Sequence, residues 1–225
     1  MRILAFEFSS PRRSVALVQA ASPTESRVVA SAAESAGRST RAFRLIEAVL
    51  RESGWEREEI DRIAVGLGPG SYHGIRSAIA LAQGWSLGRP LELVGVSSAA
   101  CLGRQRAQQG AVSEFAVVID AQRGEFYLAG YLMTAAGWRE VEPLRLVSAE
   151  DVETRLRAGS VVCGPEARRW FPLAEDLFPD AAILGCLAAG GSEPVAGERL
   201  EPIYLRATRF VKAPPPRFGF PRTGG

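Results

Sequence analysis

The chain has 225 residues, 47% of them hydrophobic, and its 27 Lys and Arg nearly balance its 25 Asp and Glu. This length suits one large domain or two small ones, and a net charge of +2 does not by itself indicate a nucleic-acid-binding protein. The three cysteines form no C-x-x-C pair, so neither a zinc knuckle nor a disulfide framework is indicated. The apolar runs are too short for a signal peptide or a membrane span, so we expect a cytoplasmic protein without a membrane partner.

The first half of the chain alternates short apolar runs with helical stretches, and Glu7 falls near the end of its first apolar run. In chain order the predicted elements are strands at 3–8, 14–19 and 27–32, a helix at 38–53 that Ser39 or Thr40 caps and Gly54 ends, a strand at 62–67, a helix at 75–87, a strand at 91–96 and a helix capped by Ser97 or Ser98.

A glycine-rich turn at residues 66–74 joins a predicted strand to a predicted helix. Glycine suits positive φ or close approach of the backbone, and Ser71 is well placed to cap the helix. The turn lacks the lysine of a P-loop and is not a G-x-G-x-x-G motif. The residues alone leave two alternatives open: the turn faces an anion or a partner chain, or it is a tight connection without a ligand.

The second half begins like the first. Two apolar runs, 115–119 and 125–131, flank a turn, and Asp120 ends the first of them as Glu7 does near residue 1. This repeat predicts two related halves. The remaining predictions are a strand at 142–147, a helix at 149–158, a strand at 161–163, a loop at 190–197, an apolar segment at 202–206 and a disordered basic tail beyond Lys212.

With these motifs in this order, the chain resembles the TsaB (YeaZ) family from residue 2 to about residue 206. The motifs that carry the resemblance are Arg2-Ile3-Leu4-Ala5, Ser14-Val15-Ala16-Leu17, Gly68-Pro69-Gly70-Ser71 with Gly74-Ile75-Arg76, Gly95-Val96-Ser97-Ser98, Ile119-Asp120-Ala121 with Arg123-Gly124-Glu125 and Tyr127, and Pro202-Ile203-Tyr204-Leu205-Arg206.

The resemblance implies an α/β fold of the actin-like, ribonuclease-H-like (ASKHA) type. Its first lobe, 1–109, would carry the glycine-rich turn and the interface helices, and a reduced second lobe, 110–213, would precede the basic tail at 214–225. The implied function is that of a non-catalytic scaffold subunit that binds and supports TsaD. In that family TsaD carries the metal and transfers threonylcarbamoyl from threonylcarbamoyl-AMP to N6 of adenosine 37 in tRNA.

The resemblance also implies partners and the absence of a cofactor in this chain. TsaE, an ATPase, would be a further partner, and tRNA would be met indirectly through the complex. ATP and Mg²⁺ would bind, if at all, at the level of the complex. The alternative from another class is a small actin-fold ATPase or phosphotransferase, in which the two acid-ended hairpins hold a Mg-phosphate.

The candidate nucleotide cleft departs from the family pattern, so we expect it to be vestigial. Glu7 stands where the family usually has Asp, Tyr72-His73 replaces Phe-Thr, and Ser39 replaces a His found in many members. His73 is the only histidine, which excludes a metal site built on two histidines, and we expect no catalytic residue. The cleft residues would be Glu7, Ser10, Gly68, Gly70, Ser71, Asp120 and Gly124, with the acids at hairpin ends capping backbone amides.

Two helices are the predicted partner surface. The helix at 75–87 is apolar nearly all round, and a single sheet covers only one side of such a helix. In the resembling family these two helices pair with those of TsaD, or of a second TsaB copy, as a four-helix bundle, so we expect a homodimer when TsaD is absent. The predicted interface residues are Phe43, Ile46, Leu50, Ile75, Ile79 and Ala82, and Ile79→Glu is expected to stay folded but lose its partner.

Overall fold

Two five-stranded mixed sheets organise this computed structural model, which describes residues 1–35, 41–110, 114–135, 137–190 and 193–205. The strands are β1 (Arg2–Glu7), β2 (Arg12–Ala20), β3 (Ser26–Ser35), β4 (Arg62–Gly66), β5 (Glu92–Val96), β6 (Glu114–Asp120), β7 (Glu125–Thr134), β8 (Gly137–Ser148), β9 (Val161–Gly164) and β10 (Glu175–Asp176). The helices are α1 (Ala42–Ser53), α2 (Tyr72–Gly88), α3 (Ser98–Gln108), α4 (Ala149–Arg157), α5 (Ala167–Trp170) and α6 (Ala181–Ala189).

The two sheets have the same topology. Their strand orders are β3-β2-β1-β4-β5 and β8-β7-β6-β9-β10. In each, the first three strands pair antiparallel, and the last two run parallel to the first. A helix follows the third, fourth and fifth strand of each sheet. The predicted duplication and the actin-like α/β fold are therefore confirmed.

The sheets and helices stack in five layers. Helices α1 and α2 cover the outer face of the first sheet, and α4 and α5 cover the outer face of the second. Between the sheets lie α3 and α6, and these two are exchanged: α6 packs on the first sheet and α3 on the second. Because each half contributes a helix to the other half's sheet, the division of the chain at residues 109 and 110 stays a proposal.

A buried arginine ties α6 to the first sheet. Arg62 in β4 donates from Nη1 to the carbonyl oxygen of Ala188 at 2.5 Å, and from Nε to Glu92 Oε2 at 2.8 Å. The first bond satisfies a carbonyl in the last turn of the helix, where backbone acceptors lack an intrahelical partner. Gly185 lies where α6 contacts β2. A Cβ on Gly185 would lie 2.7 Å from Val18 Cγ2, so the glycine lets α6 lie close to β2.

Helix α1 begins later than predicted. Its N-cap is Arg41, without a side-chain cap, and its first residue is Ala42. Ser39 and Thr40, the predicted caps, lie outside the described residues. The helix ends as predicted at Gly54, whose φ of 69° is left-handed.

Three short elements were not predicted, namely α5, β10 and α6. Residues 206–225, which include the predicted disordered tail at 214–225, lie outside the described part. Within the described ranges, no helix has the length and apolar character needed to cross a membrane.

Candidate functional site

Glu7 lies at the end of β1 and is fully buried. Its Oε1 accepts a hydrogen bond from the Ser9 amide at 2.8 Å, and its Oε2 accepts one from Ser98 Oγ at 2.8 Å. Ser98 opens α3, and its Oγ also accepts from the Gly68 amide at 3.1 Å. Both carboxylate oxygens are thus used to join the β1–β2 hairpin, the glycine-rich turn and the start of α3.

The surroundings of Glu7 disfavour its charge. Burial raises the pKa of Glu7 above its ordinary value of 4.5, against the lowering effect of the Ser9 and Ser98 hydrogen bonds, and the nearby Asp180 raises it further. The close fit is visible at Gly66, where an added Cβ would overlap Glu7 Oε2. The side chain is therefore enclosed by protein rather than directed into an open cleft.

The glycines of the turn are explained by contact with the neighbouring hairpin. A Cβ on Gly70 would overlap the carbonyl oxygen of Ser9, and one on Gly74 would overlap that of Phe8. The Ser71 amide donates to Ser9 O at 2.7 Å. Ser71 is the N-cap of α2, as predicted, and its Oγ accepts from the Gly74 amide at 3.3 Å. These contacts match the second alternative for the turn, a tight connection.

The remaining predicted cleft residues stabilise the turns of the hairpins to which they belong. Ser10 Oγ donates to the Arg12 carbonyl oxygen at 2.8 Å. Asp120 accepts from the Gln122 amide at 2.7 Å, two residues along the chain, as Glu7 accepts from Ser9. Gly124 closes that turn with a φ of 78°. Ser98 thus links Glu7 to Gly68, and Ser9 links Glu7 to Ser71. Asp120 and Gly124 belong to the β6–β7 hairpin of the other sheet.

An aromatic cluster that the sequence did not predict lies at the N-terminal end of α2. The Tyr72 ring stacks on Tyr204 with centroids 6.0 Å apart, and His73 meets the Tyr72 ring edge-on at 5.5 Å. Arg76 lies over the Tyr72 ring at 4.8 Å and donates to its hydroxyl oxygen at 2.7 Å. We name Tyr72, His73, Arg76 and Tyr204 the rim cluster. Tyr72 and Tyr204 are far apart in the sequence, so local sequence patterns do not predict that they stack.

The predicted partner surface needs correction. Of its six residues only Phe43 is exposed, at 68%. The other five lie in the core between α1, α2 and the first sheet: Ile46, Leu50, Ile75, Ile79 and Ala82. Because Ile79 is only 6% exposed, Ile79→Glu is expected to unfold the chain and not only to remove its partner.

The outer side of α2 is instead built from small residues. Between α1 and α2 runs an open groove of about 550 Å³, which we name the α1–α2 groove. Its floor on α2 includes Ala80, Gly84 and Gly88, spaced four residues apart, and a Cβ on either glycine would meet nothing within 4 Å. Leu87, 89% exposed, lies on the same helix. The four-residue spacing of these small residues is visible in the sequence, but it does not produce the stripe of large apolar residues by which an interface helix is usually recognised. The other lining residues are Phe43, Ile46, Arg57, Glu58, Leu81, Trp85 and Arg89.

Nothing among the described residues gathers three His, Cys, Asp or Glu side chains in a geometry that could hold a metal ion.

Comparison with known proteins agrees with this architecture. The family model for TsaD, tRNA N6-adenosine threonylcarbamoyltransferase, matches residues 31–145, about half of the chain. The tRNA threonylcarbamoyladenosine biosynthesis protein TsaB of Escherichia coli is 29% identical over 187 residues, covering 74% of this chain and 79% of that protein. TsaB of Bacillus subtilis is 30% identical over 162 residues, 69% of each chain.

A solved structure extends the match to most of the fold. YeaZ from Pseudomonas aeruginosa superposes with a TM-score of 0.75 at 26% identity, over 91% of this chain and 99% of that one. The sequence identity to TsaB and the duplicated topology lead to the same conclusion: the chain belongs to the TsaB (YeaZ) family.

Proposed function

We propose that this chain is a non-catalytic scaffold subunit in the synthesis of N6-threonylcarbamoyladenosine at position 37 of tRNA, where it binds and supports a TsaD homologue. The relatives named TsaB are described as biosynthesis proteins for this modified nucleoside. A TsaE homologue is proposed as a further partner, and tRNA is met indirectly through the complex.

The observation that carries the docking proposal is the α1–α2 groove. Exposed Phe43 lines the groove together with Ala80, Gly84 and Gly88, small residues at which another helix can approach closely. Exposed Leu87 lies on the same helix. The TsaD family model matches residues 31–145, which include both helices. A TsaD homologue is therefore expected to present an equivalent helix pair, and two such pairs can meet around a pseudo-twofold axis. In the absence of TsaD, a second copy of this chain can take the same place.

The arrangement around Glu7 supports a non-catalytic role. A carboxylate that bound a metal–phosphate would need at least one oxygen directed at the ligand. Both oxygens of Glu7 accept hydrogen bonds, from Ser9 and Ser98, and the side chain is fully buried. Asp120 accepts from the Gln122 amide. The acids at the two hairpin ends thus stabilise local structure in the present conformation.

Reconstitution tests the proposal. The purified chain alone is expected to transfer nothing and to hydrolyse ATP negligibly, whereas adding it to a TsaD homologue and the other reaction components should raise the rate of tRNA modification. Complex formation is measured by co-purification and analytical ultracentrifugation. Robust ATP turnover by the isolated chain, abolished in Glu7→Gln or Asp120→Asn, would instead establish the ATPase or phosphotransferase alternative.

A further inference from the structure

One row of exposed residues runs along the whole of α2. Its members, spaced four residues apart, are Tyr72, Arg76, Ala80, Gly84 and Gly88. Rows with this spacing form the ridges along which a second helix packs. The last three residues line the α1–α2 groove, and the first two belong to the rim cluster. The rim cluster therefore continues the ridge of small residues to the N-terminal end of the helix.

Arg76 is held in place on this ridge. It donates from Nη1 to the Tyr72 hydroxyl oxygen at 2.7 Å, and its guanidinium lies 4.8 Å from the centre of the Tyr72 ring. Tyr204 in turn stacks on Tyr72. None of the ion pairs among the described residues involves Arg76. Since a guanidinium carries five N–H donors, the bond to Tyr72 leaves capacity for a carboxylate.

The charge around this end of the helix pair is positive. Helices α1 and α2 follow strands β3 and β4, which both run parallel to β1, so the two helices begin at the same edge of the sheet. Neither helix has an acidic residue in its first turn, and exposed Arg41 and Arg44 lie at the start of α1. The partial positive charge of the two helix N-termini adds to that of the arginines. This end of the surface is therefore suited to an acidic partner.

We propose that Arg76 selects the partner of the α1–α2 groove by binding a carboxylate on the helix that docks there. That partner is a TsaD homologue, so the inference rests on the proposed function and adds the chemistry of the contact. Pre-organised Arg and Tyr side chains are typical of the residues that dominate binding energy. RNA fits the ridge less well, because Ala80, Gly84 and Gly88 offer neither charge to a phosphate nor a ring to a base.

A second copy of this chain matches Arg76 less well than a TsaD homologue with an acidic helix. Helix α2 contains no acidic residue, so contact between the α2 helices of two copies supplies no carboxylate to Arg76. A guanidinium that loses water at an interface without gaining a partner weakens the association. Arg76 therefore favours a heteromeric partner over self-association.

Removal of the Arg76 charge measures its contribution to the complex with a TsaD homologue. Arg76→Gln should raise the Kd at least about 30-fold in titration calorimetry, because a hydrogen-bonded charge pair loses one member. The matched control is Arg157→Gln, since Arg157 is an exposed arginine of α4 that also bonds a side chain four residues earlier, that of Glu153. It should change the Kd less than about twofold, and both variants should keep the Tm within about 2 °C.

A double-mutant cycle identifies the carboxylate. Each Asp and Glu on the docking helices of the TsaD homologue is changed singly to its amide and titrated against the wild-type chain and against Arg76→Gln. For one carboxylate the two losses should be non-additive by about tenfold or more. Additive losses for every carboxylate would contradict the proposed contact.

Three further results would overturn the inference. An unchanged Kd for Arg76→Gln, with the wild-type chain bound to TsaD, would remove Arg76 from the docking surface. An equal loss of self-association in analytical ultracentrifugation would show that Arg76 does not discriminate between partners. Weaker tRNA binding by the isolated Arg76→Gln chain, with undiminished capture of TsaD, would assign Arg76 to RNA. If the wild-type chain does not bind the TsaD homologue, the proposed function fails together with the inference, and that result is recognised before any variant is compared.

Discussion

Replacing Gly84 by arginine should separate the stability of the fold from its association with a partner. Gly84 lies within α2, and an added Cβ would meet nothing within 4 Å. Since glycine is about 0.8–1 kcal/mol less favourable than alanine in a helix interior and arginine is close to alanine, Gly84→Arg should stabilise the chain by roughly 0.5–1 kcal/mol. For a chain of this size the Tm should rise by about 1–4 °C.

The same substitution should abolish docking in the α1–α2 groove. A partner helix seated against Gly84 would meet an arginine side chain, and the cost of overpacking and of burying an unpaired charge adds up to roughly 3 kcal/mol or more. That corresponds to a Kd raised at least about 100-fold. Thermal unfolding followed by circular dichroism gives the first quantity, and titration calorimetry with the TsaD homologue gives the second.

Ile79→Glu on the same helix provides the contrast. Ile79 belongs to the buried core, so the change removes roughly 2–5 kcal/mol of packing and adds the desolvation of a carboxyl group. This approaches the whole stability of an ordinary domain, about 5–15 kcal/mol, and we expect an unfolded chain. A lower Tm or a retained partner for Gly84→Arg, or a normally folded Ile79→Glu chain, would contradict this assignment of the two faces of α2.

Three further predictions concern the interior. Burial raises the pKa of Glu7 in the folded chain above its value of 4.5 in the unfolded chain. The stability that this carboxyl group contributes is therefore complete below pH 4.5 and is lost as the pH rises through the pKa of the folded chain. Glu7→Gln should flatten the dependence on pH, above 4.5, of the free energy of unfolding measured with urea. Gly74→Ala should destabilise α2 because its Cβ meets the backbone of the β1–β2 hairpin, whereas Gly88→Ala, in open space, should leave the Tm unchanged or higher. Arg62→Met should lower the free energy of unfolding by about 1.5–3 kcal/mol in denaturant titrations, because a charged hydrogen bond to the end of α6 is lost. Arg145→Met, at an exposed ion pair, should lower it by less than about 1 kcal/mol.

The sequence predicted the duplicated fold because its strongest signals are local. Glu7 and Asp120 end equivalent strands, and apolar runs with turn formers between them mark both hairpins. Helix α6 gave no comparable signal: its residues are small or apolar on every side, since they lie between a sheet and α3, and helical periodicity is weak in such a segment.

The partner surface was misjudged for a related reason. Large apolar residues such as Ile75 and Ile79 make α2 look apolar on its outer side, but the first sheet and α1 enclose them. The outward face includes Ala80, Gly84 and Gly88, which contribute little hydrophobicity but leave space for a neighbouring helix. The rim cluster depends on contact between residues more than a hundred positions apart, which local patterns do not encode.

The exchange of α3 and α6 between the two sheets is the geometry of a domain-swapped dimer whose subunits have been joined end to end. In a swapped dimer of separate chains, each subunit would lack one helical layer at low concentration, and its stability would depend on that concentration. The covalent link removes this dependence. It also means that neither half retains a finished core when the connection between α3 and β6 is cut, so the two fragments are expected to be complementary rather than autonomous.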